Sequence, residues 1–379
     1  MAVTIEVDGA TKFFGATQAV GPVSLNVEAG EFFSLLGPSG CGKTTTLRLI
    51  AGFEDVSDGI IRIGGKVVND VPVEQRGVGM VFQSYALFPH LTVYDNVAFG
   101  LRLRRASSDE IDRRTKAALA QVGLEGYGVR MPEQMSGGQQ QRAALARALV
   151  VEPSVLLLDE PLSNLDLKLR EQMRDEIRRL QKSLGITAIY VTHDQGEAMA
   201  ISDRTAVMNM GRVEQVGTPR EIYEQPKTLF VAGFIGQCNF LAGAVENADR
   251  GLARFQTPGG CTLLVSTASV DDAVLRNPVL TLVVRPEAVT LRNFQEKATE
   301  DARPVNRLPA RVDEIVYLGE KIEVACTLLD ATGQPGERLV ASEHMVRGQA
   351  LPEVGDAITI LIPYDECVLV AERWADGKS

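Results

Sequence analysis

Up to about residue 235 the chain alternates two kinds of apolar spacing. Residues 1–8 alternate apolar and polar side chains, as in a strand with one buried face. Phe32-Phe33-Ser34-Leu35-Leu36 is a short, nearly continuous apolar run that leads into glycines. From Lys43 to Ala51 the spacing turns helical, with Leu47 and Ile50 three apart. The stretch from roughly 88 to 150 reads as mainly helical. Within it, Ser107 and Glu110 have capping-box spacing ahead of a helix carrying Ile111, Ala118 and Leu119. Strand-like and helical segments in alternation predict an α/β domain with a largely parallel sheet.

After Gly236 the helical spacing fades. Short β-rich runs follow, divided by turn residues: 262–265, 279–284, 322–325, 357–361 and 367–370. This punctuation predicts a small β-barrel or sandwich. The domain boundary is placed near Gly236, giving 1–235 and 236–379. No internal repeat is evident.

Composition agrees with that division. The 379 residues exceed one ordinary domain of ~150 residues. Hydrophobic residues at 45 % supply material for buried cores, and 23 % are charged. A formal net charge of -10 argues against indiscriminate nucleic-acid binding. No apolar run nears the ~20 residues that span a bilayer, and the first residues lack signal-peptide character. A cytoplasmic location is expected, with any membrane association made through partners. The cysteines at 41, 238, 261, 326 and 367 form no C-x-x-C pair, which argues against a disulfide framework or zinc site. Four of them read as small buried hydrophobes, while Cys41 lies in a glycine-rich loop.

That loop carries the clearest chemistry. Gly37-Pro38-Ser39-Gly40-Cys41-Gly42-Lys43-Thr44 matches G-x-x-x-x-G-K-[ST] between a predicted strand and a predicted helix. Glycines let backbone N–H groups wrap a polyphosphate, and the positive helix end adds to the field. Lys43 is expected on the β- and γ-phosphates and Thr44 on Mg²⁺. Val155-Leu156-Leu157-Leu158 is an apolar strand ending in Asp159 and Glu160. Beside a nucleotide loop, Asp159 suits the metal and Glu160 suits a general base that polarises water. Ser136-Gly137-Gly138-Gln139 opens an alanine- and leucine-rich helix with Ser136 as N-cap. It reads either as an ordinary capped helix or as a helix end that presents N–H groups to a phosphate.

The order of these motifs, with Gln83 between the first two and His193 after them, resembles the ATP-binding subunits of ABC transporters across residues 1 to about 235. The resemblance implies a RecA-like P-loop core, an antiparallel β region near the N-terminus and a helical subdomain over about 88–150. It places ATP on residues 37–44 and Thr45, with Phe14 stacked on adenine unless that ring is core. It makes Gln83 a Mg²⁺ and water contact and a sensor of the membrane subunits. Asp166 becomes the aspartate that crosses the subunit boundary, and His193 the switch residue at the γ-phosphate. Ser136, Gly137, Gly138 and Gln139 would close on the nucleotide of a second copy in a head-to-tail homodimer. The run Tyr85-Ala86-Leu87-Phe88 reads as a buried connection or, by the resemblance, as a groove for a short membrane-subunit helix.

Residues 236–379 resemble the OB-like accessory domain of one importer group, which includes maltose, polyamine, ferric-iron and sulfate systems. The matching segments are 230–236 with Asn239-Phe240, then Val284-Arg285-Pro286-Glu287 and Tyr317-Leu318-Gly319. With Pro363-Tyr364-Asp365-Glu366 the pattern is most like polyamine-type members; sugar, ferric-iron, sulfate and phosphonate systems stay open. The implied partners are a second copy, two permease subunits at the cytoplasmic face of a bacterial membrane and, indirectly, a solute-binding protein, with no nucleic acid. Two other readings are kept. A soluble ABC ATPase acting on nucleic acid or the ribosome usually has two nucleotide domains or coiled-coil insertions, and neither occurs here. The C-terminal barrel could also act as a regulatory binding module.

Overall fold

A computed structural model describes residues 2–249, 251–268, 270, 272–278, 280–293, 304–330, 332–345 and 351–371. The backbone divides into two compact units, Met1–Ile222 and Tyr223–Ser379. In the first, strands β1 (Ile5–Phe14), β2 (Thr17–Val27) and β3 (Phe32–Leu36) precede helix α1 (Lys43–Ala51). Next come β4 (Asp58–Ile63), β5 (Lys66–Val67) and β6 (Val78–Val81). Helices α2 (Val93–Leu103), α3 (Ser108–Gln121) and α4 (Gly137–Leu149) follow, then β7 (Val155–Asp159) and α5 (Leu167–Leu184). The unit continues through β8 (Thr187–Thr192), α6 (Gln195–Ile201), β9 (Arg204–Asn209) and β10 (Arg212–Gly217).

Six strands form the central sheet in the order β10-β9-β3-β8-β7-β6. All neighbours run parallel except β10, which pairs antiparallel with β9. Every residue of β3, β7 and β8 is buried, which is why β3 and β7 read as nearly continuous apolar runs. Their alternate side chains feed two cores. Phe32, Leu156, Leu158 and Tyr190 pack with Val97, Leu119, Leu145 and Met173 from the helices. Phe33, Leu35, Leu157 and Ile189 pack with Leu47 and Ile50 of α1 and with Ile5 and Val7 of the other sheet. That second sheet is antiparallel, ordered β2-β1-β4-β5. The expected core, antiparallel region and helical subdomain are all present.

Helix α7 (Pro219–Glu224) crosses the division, and α8 (Leu229–Phe234) lies in the second unit. The boundary expected near Gly236 falls after α8; Leu229 and Ala232 of that helix pack on Val283 and Val370. Among the described residues ten strands follow: β11 (Asn239–Asp249), β12 (Leu252–Gln256), β13 (Thr262–Ser266), β14 (Leu280–Val284) and β15 (Thr290–Asn293), then β16 (Val305–Tyr317), β17 (Lys321–Leu329), β18 (Pro335–His344), β19 (Ala357–Pro363) and β20 (Cys367–Val370). They make two five-stranded antiparallel sheets, β13-β12-β11-β14-β20 and β15-β19-β16-β17-β18. One apolar cluster joins them, with Leu241, Phe255, Leu282, Val324, Ile360 and Leu369 at its heart. The five β runs read from spacing are all strands here, although Val279 lies outside the described residues.

Two local readings need correction. Ser107 accepts the Glu110 N–H, but the Glu110 carboxylate turns to Arg114 at 3.0 Å instead of closing a capping box. An arginine one turn along is the better partner for a charged carboxylate. Cys238 is only partly buried, and its thiol accepts from the Arg285 guanidinium at 2.8 Å, a polar contact that a simple buried hydrophobe would not make; Cys261, Cys326 and Cys367 are buried as expected.

Candidate nucleotide site

Open parallel sheets bind ligands beyond the carboxyl ends of their strands. The order β3-β8-β7-β6 therefore delivers four sequence-distant segments to one edge. They are residues 37–42 after β3, His193 after β8, Asp159 and Glu160 at the end of β7, and Gln83 just past β6.

The loop after β3 is tight. A Cβ at Gly37 would lie 2.3 Å from the Met208 carbonyl oxygen, and Gly42 has φ +99° as it turns into α1. Lys43 is buried and folds back on the loop, its Nζ donating to the carbonyls of Gly37 and Pro38 at 2.8 Å each. Cys41 lies beneath it, buried, with Sγ 3.9 Å from that Nζ. Burial pushes this thiol up, so it remains a neutral packing group.

Across the edge, Thr44 Oγ1 donates to Asp159 Oδ1 at 2.8 Å. Burial pushes the Asp159 carboxyl up from its ordinary value, opposed first by that threonine bond. Glu160 sits beside it with a left-handed backbone, φ +43°, anchored by its N–H to the Val191 carbonyl at 3.0 Å. Its Oε2 accepts from Gln83 Nε2 at 3.3 Å and lies 3.2 Å from His193 Nδ1. Gln83, Glu160 and His193 thus meet at one carboxylate oxygen. Asn164 steadies the Gln83 backbone by donating to its carbonyl at 3.0 Å.

Thr44 and Asp159 meet at 2.8 Å, and their hydroxyl and carboxylate, with the amide oxygen of Gln83 on the neighbouring segment, are hard oxygen donors of the kind Mg²⁺ takes. No cluster of three or more His, Cys, Asp or Glu able to hold a metal occurs among the described residues. A hard cation here would complete its shell from phosphate and water.

The other expected residues stand apart from this convergence. Phe14 ends β1 half exposed, with Lys12 Nζ 5.1 Å above its ring, so it is not core. Thr45 lies in the first turn of α1. Ser136 caps α4 through a reciprocal box with Gln139 (3.4 and 3.0 Å), which occupies one of the N–H groups at that helix end. Gly138 is buried against Leu169 of α5. The cavity at this end is lined by Tyr127, Arg142 and Leu169, and by no residue of the 37–44 loop. Asp166 is exposed and caps α5 through the Leu169 N–H at 3.0 Å.

The 85–88 run is divided. Tyr85 is core, with φ +60°, while Leu87 and Phe88 are half-buried and Ala86, Pro89 and His90 are exposed. Two residues missed in the sequence hold this turn. Arg147 donates to the carbonyls of Ala86 and Tyr85 at 2.6 and 2.9 Å and lies over the Phe88 ring. Buried Asn96 accepts the Phe88 N–H and donates to the carbonyls of Phe88, Leu91 and Thr92. An arginine and an asparagine among apolar helix positions were the available signals.

A family model described as "ABC transporter" matches residues 20–163, and one described as "TOBE domain" matches residues 282–370. Curated relatives that bear the name spermidine/putrescine import ATP-binding protein PotA include those of three organisms. That of Rubrobacter xylanophilus is 48 % identical over 371 residues, 98 % of this chain and 94 % of the relative. That of Nitratidesulfovibrio vulgaris is 48 % identical, covering 98 % and 95 %, and that of Thermobifida fusca 51 % identical, covering 90 % and 86 %. Among solved structures, a dimeric ATP-binding cassette in a post-hydrolysis state, bound to ADP and Pi, is 34 % identical with a TM-score of 0.52. It covers 57 % of this chain and 99 % of its own. The protein cbiO1 of Clostridium perfringens, part of an ABC transporter complex, is 32 % identical with a TM-score of 0.55, covering 59 % and 91 %.

Proposed function

The chain belongs to the ATP-binding subunits of ABC transporters, and on that premise we propose that it hydrolyses ATP to drive uptake of a polyamine such as spermidine or putrescine. The observation that carries the catalytic part is the meeting of Gln83 and His193 on Glu160, beside the Thr44–Asp159 pair. The names of the relatives support the cargo.

In this reading ATP lies along residues 37–45 with adenine against Phe14. Its phosphates take over Lys43 from the Gly37 and Pro38 carbonyls. Thr44, Asp159 and Gln83 hold Mg²⁺, which supplies charge neutralisation at the phosphate oxygens when bound. Glu160 takes the proton of the attacking water, and His193 and Gln83 orient the water and the γ-phosphate. Ser136 and Gly137 are exposed, and with Gly138 and Gln139 they close on the nucleotide of a second copy, with Asp166 crossing the same boundary. A neighbour described as dimeric, with ADP and Pi bound, supports pairing of two copies. No helix among the described residues is long and apolar enough to cross a membrane; in this reading two separate permease subunits form the path. The chain then sits peripherally at the cytoplasmic face, with 1–235 as the nucleotide-binding domain and 236–379 as the accessory domain. Liposomes carrying the chain with its membrane subunits and solute-binding protein test the cargo. ATP-dependent uptake of a sugar or oxyanion in place of spermidine would overturn it.

Coupling is assigned to the turn at Phe88, a half-buried apolar anchor for a short helix of a membrane subunit. Phe88→Ala is expected to cut transport in liposomes at least several-fold while the purified chain keeps most of its ATPase activity. Loss of stability and hydrolysis together would make Phe88 core, and unchanged transport would place the groove elsewhere.

A chain ending at Gly236 is expected to bind ATP within about twofold of the full chain, since every nucleotide residue precedes position 200. The cut uncovers Leu229 and Ala232, so reduced solubility is expected. Equilibrium titration with a fluorescent ATP analogue gives the comparison. A large loss of affinity in a folded truncation would show that the barrel completes the site.

A further inference from the structure

The loop before Asp166 and the residues flanking His193 lie on different segments, yet one guanidinium holds both. Arg170, in the first turn of α5, donates to the Leu165 carbonyl at 3.0 Å. Its other terminal nitrogen donates to Asp194 Oδ2 at 3.3 Å, and its Nε lies 3.7 Å from Glu197 Oε1.

The acceptors on the far side are themselves fixed. Glu197 is buried, and its Oε2 accepts from the Tyr190 hydroxyl at 2.6 Å and from Thr192 Oγ1 at 2.7 Å. Both donors belong to β8, the strand that delivers His193. Burial, and next the Glu197 carboxylate, push the Tyr190 phenol well above its ordinary range, so it stays a donor. Asp194 accepts the Glu197 N–H at 3.1 Å and gives its own N–H to Thr192 Oγ1 at 2.9 Å. Residues on either side of His193 are therefore tied into one network. Arg170, Asp194 and Glu197 also line the same small cavity as Glu160, Ser163 and His193.

Capping α6 and neutralising a buried carboxylate would account for the contacts to Asp194 and Glu197. They do not account for the reach back to the Leu165 carbonyl. That third contact joins two loops that share no strand. A planar guanidinium, with donors fixed in a fork, reaches the Leu165 carbonyl and Asp194 in two separate directions while keeping its charge beside Glu197, a spread that the single nitrogen of a lysine does not match.

We propose that Arg170 is a positioning residue for ATP hydrolysis, which locks the 163–166 loop to the 192–194 loop so that Asp166 and His193 move as one body. The proposal rests on the roles assigned above to those two residues. The boundary with the second copy and the γ-phosphate position then report to each other within a single chain.

The test is steady-state ATPase kinetics of the purified full chain with Arg170→Ala, Arg170→Lys and Glu197→Gln. Arg170 has no contact with the 37–44 loop in the network described, so KM for ATP should stay within about twofold while kcat falls at least about tenfold in Arg170→Ala. Arg170→Lys should recover part of kcat, because it restores charge without the fork. The double variant Asp166→Ala with Arg170→Ala should be no slower than the worse single variant, since both act through one loop. An unchanged kcat would overturn the proposal. So would a joint fall of kcat, ATP affinity and thermal midpoint in both the alanine and the lysine variants, which marks a purely structural arginine. If Arg170→Ala does not fold, the same kcat-against-KM comparison on Arg170→Lys and Glu197→Gln decides. A wild-type chain whose rate is indifferent to Asp166→Ala and His193→Ala would instead overturn the roles on which the proposal rests.

Discussion

Glutamine in place of Glu160 is expected to stop ATP hydrolysis while ATP binding survives. The carboxylate oxygen that meets Gln83 and His193 is the one basic atom poised between them. An amide of the same shape cannot take a proton from water, so turnover should fall by about 10²–10⁴. Shape and packing are conserved, and no phosphate contact of the 37–44 loop is touched. The substitution also removes a negative charge from each of the two nucleotide sites in a head-to-tail pair. Like charges close together disfavour such closure, so the variant should accumulate as a dimer with Mg-ATP. Gel filtration and a phosphate-release assay give the two readouts. Near-normal turnover would remove Glu160 from the role of base. A monomeric profile for both variant and wild type in Mg-ATP would remove the support for pairing in the absence of membrane subunits.

Lys43→Ala should have the other large effect, and of a different kind. The ammonium is buried and held by two loop carbonyls. In the proposed site it exchanges those neutral acceptors for phosphate oxygens, against which a charge-assisted bond is stronger. Removing it takes away both ground-state attraction and stabilisation of charge as the γ-phosphate departs. Hydrolysis is expected to fall by at least about 10³ and ATP affinity to fall with it. Circular dichroism should show an intact fold, because Leu47 and Ile50 continue to anchor α1 in its core. A folded variant that turns over ATP near the wild-type rate would contradict the assignment of residues 37–44.

Sequence alone exposed the parts of this site that are local. The loop 37–44 and the acids after 155–158 each occupy one strand and the residues that follow, so spacing and residue type suffice. What spacing could not show is that Gln83, Glu160 and His193 share a carboxylate oxygen. That meeting depends on β6, β7 and β8 being neighbours, and sheet order is not written in any local period. Phe14 illustrates the same limit: its residue type favours the interior, but its place at the end of β1 leaves it half exposed. In the second unit, β16 escaped notice although Leu308, Ala310 and Val312 are buried at alternate positions. Pro309 inside the run argues against a strand, and Asn306 puts a polar residue at one of the buried positions, so the alternation was masked. The Arg147 and Asn96 contacts were illegible for a related reason. A buried polar side chain declares its partner only once the backbone carbonyls it serves are in place.

The left-handed backbone at Glu160 sets foldability against chemistry at a single position. A residue with a Cβ gives up about 1 kcal/mol or more to sit at that φ, and glycine does not. Selection for a more stable fold alone would favour glycine there, at the loss of the carboxylate. The chain retains a side chain that its own local conformational preference would discard. The proposed base is held by its bonds to the segments after β6 and β8 and to Val191 of β8, against the grain of its backbone.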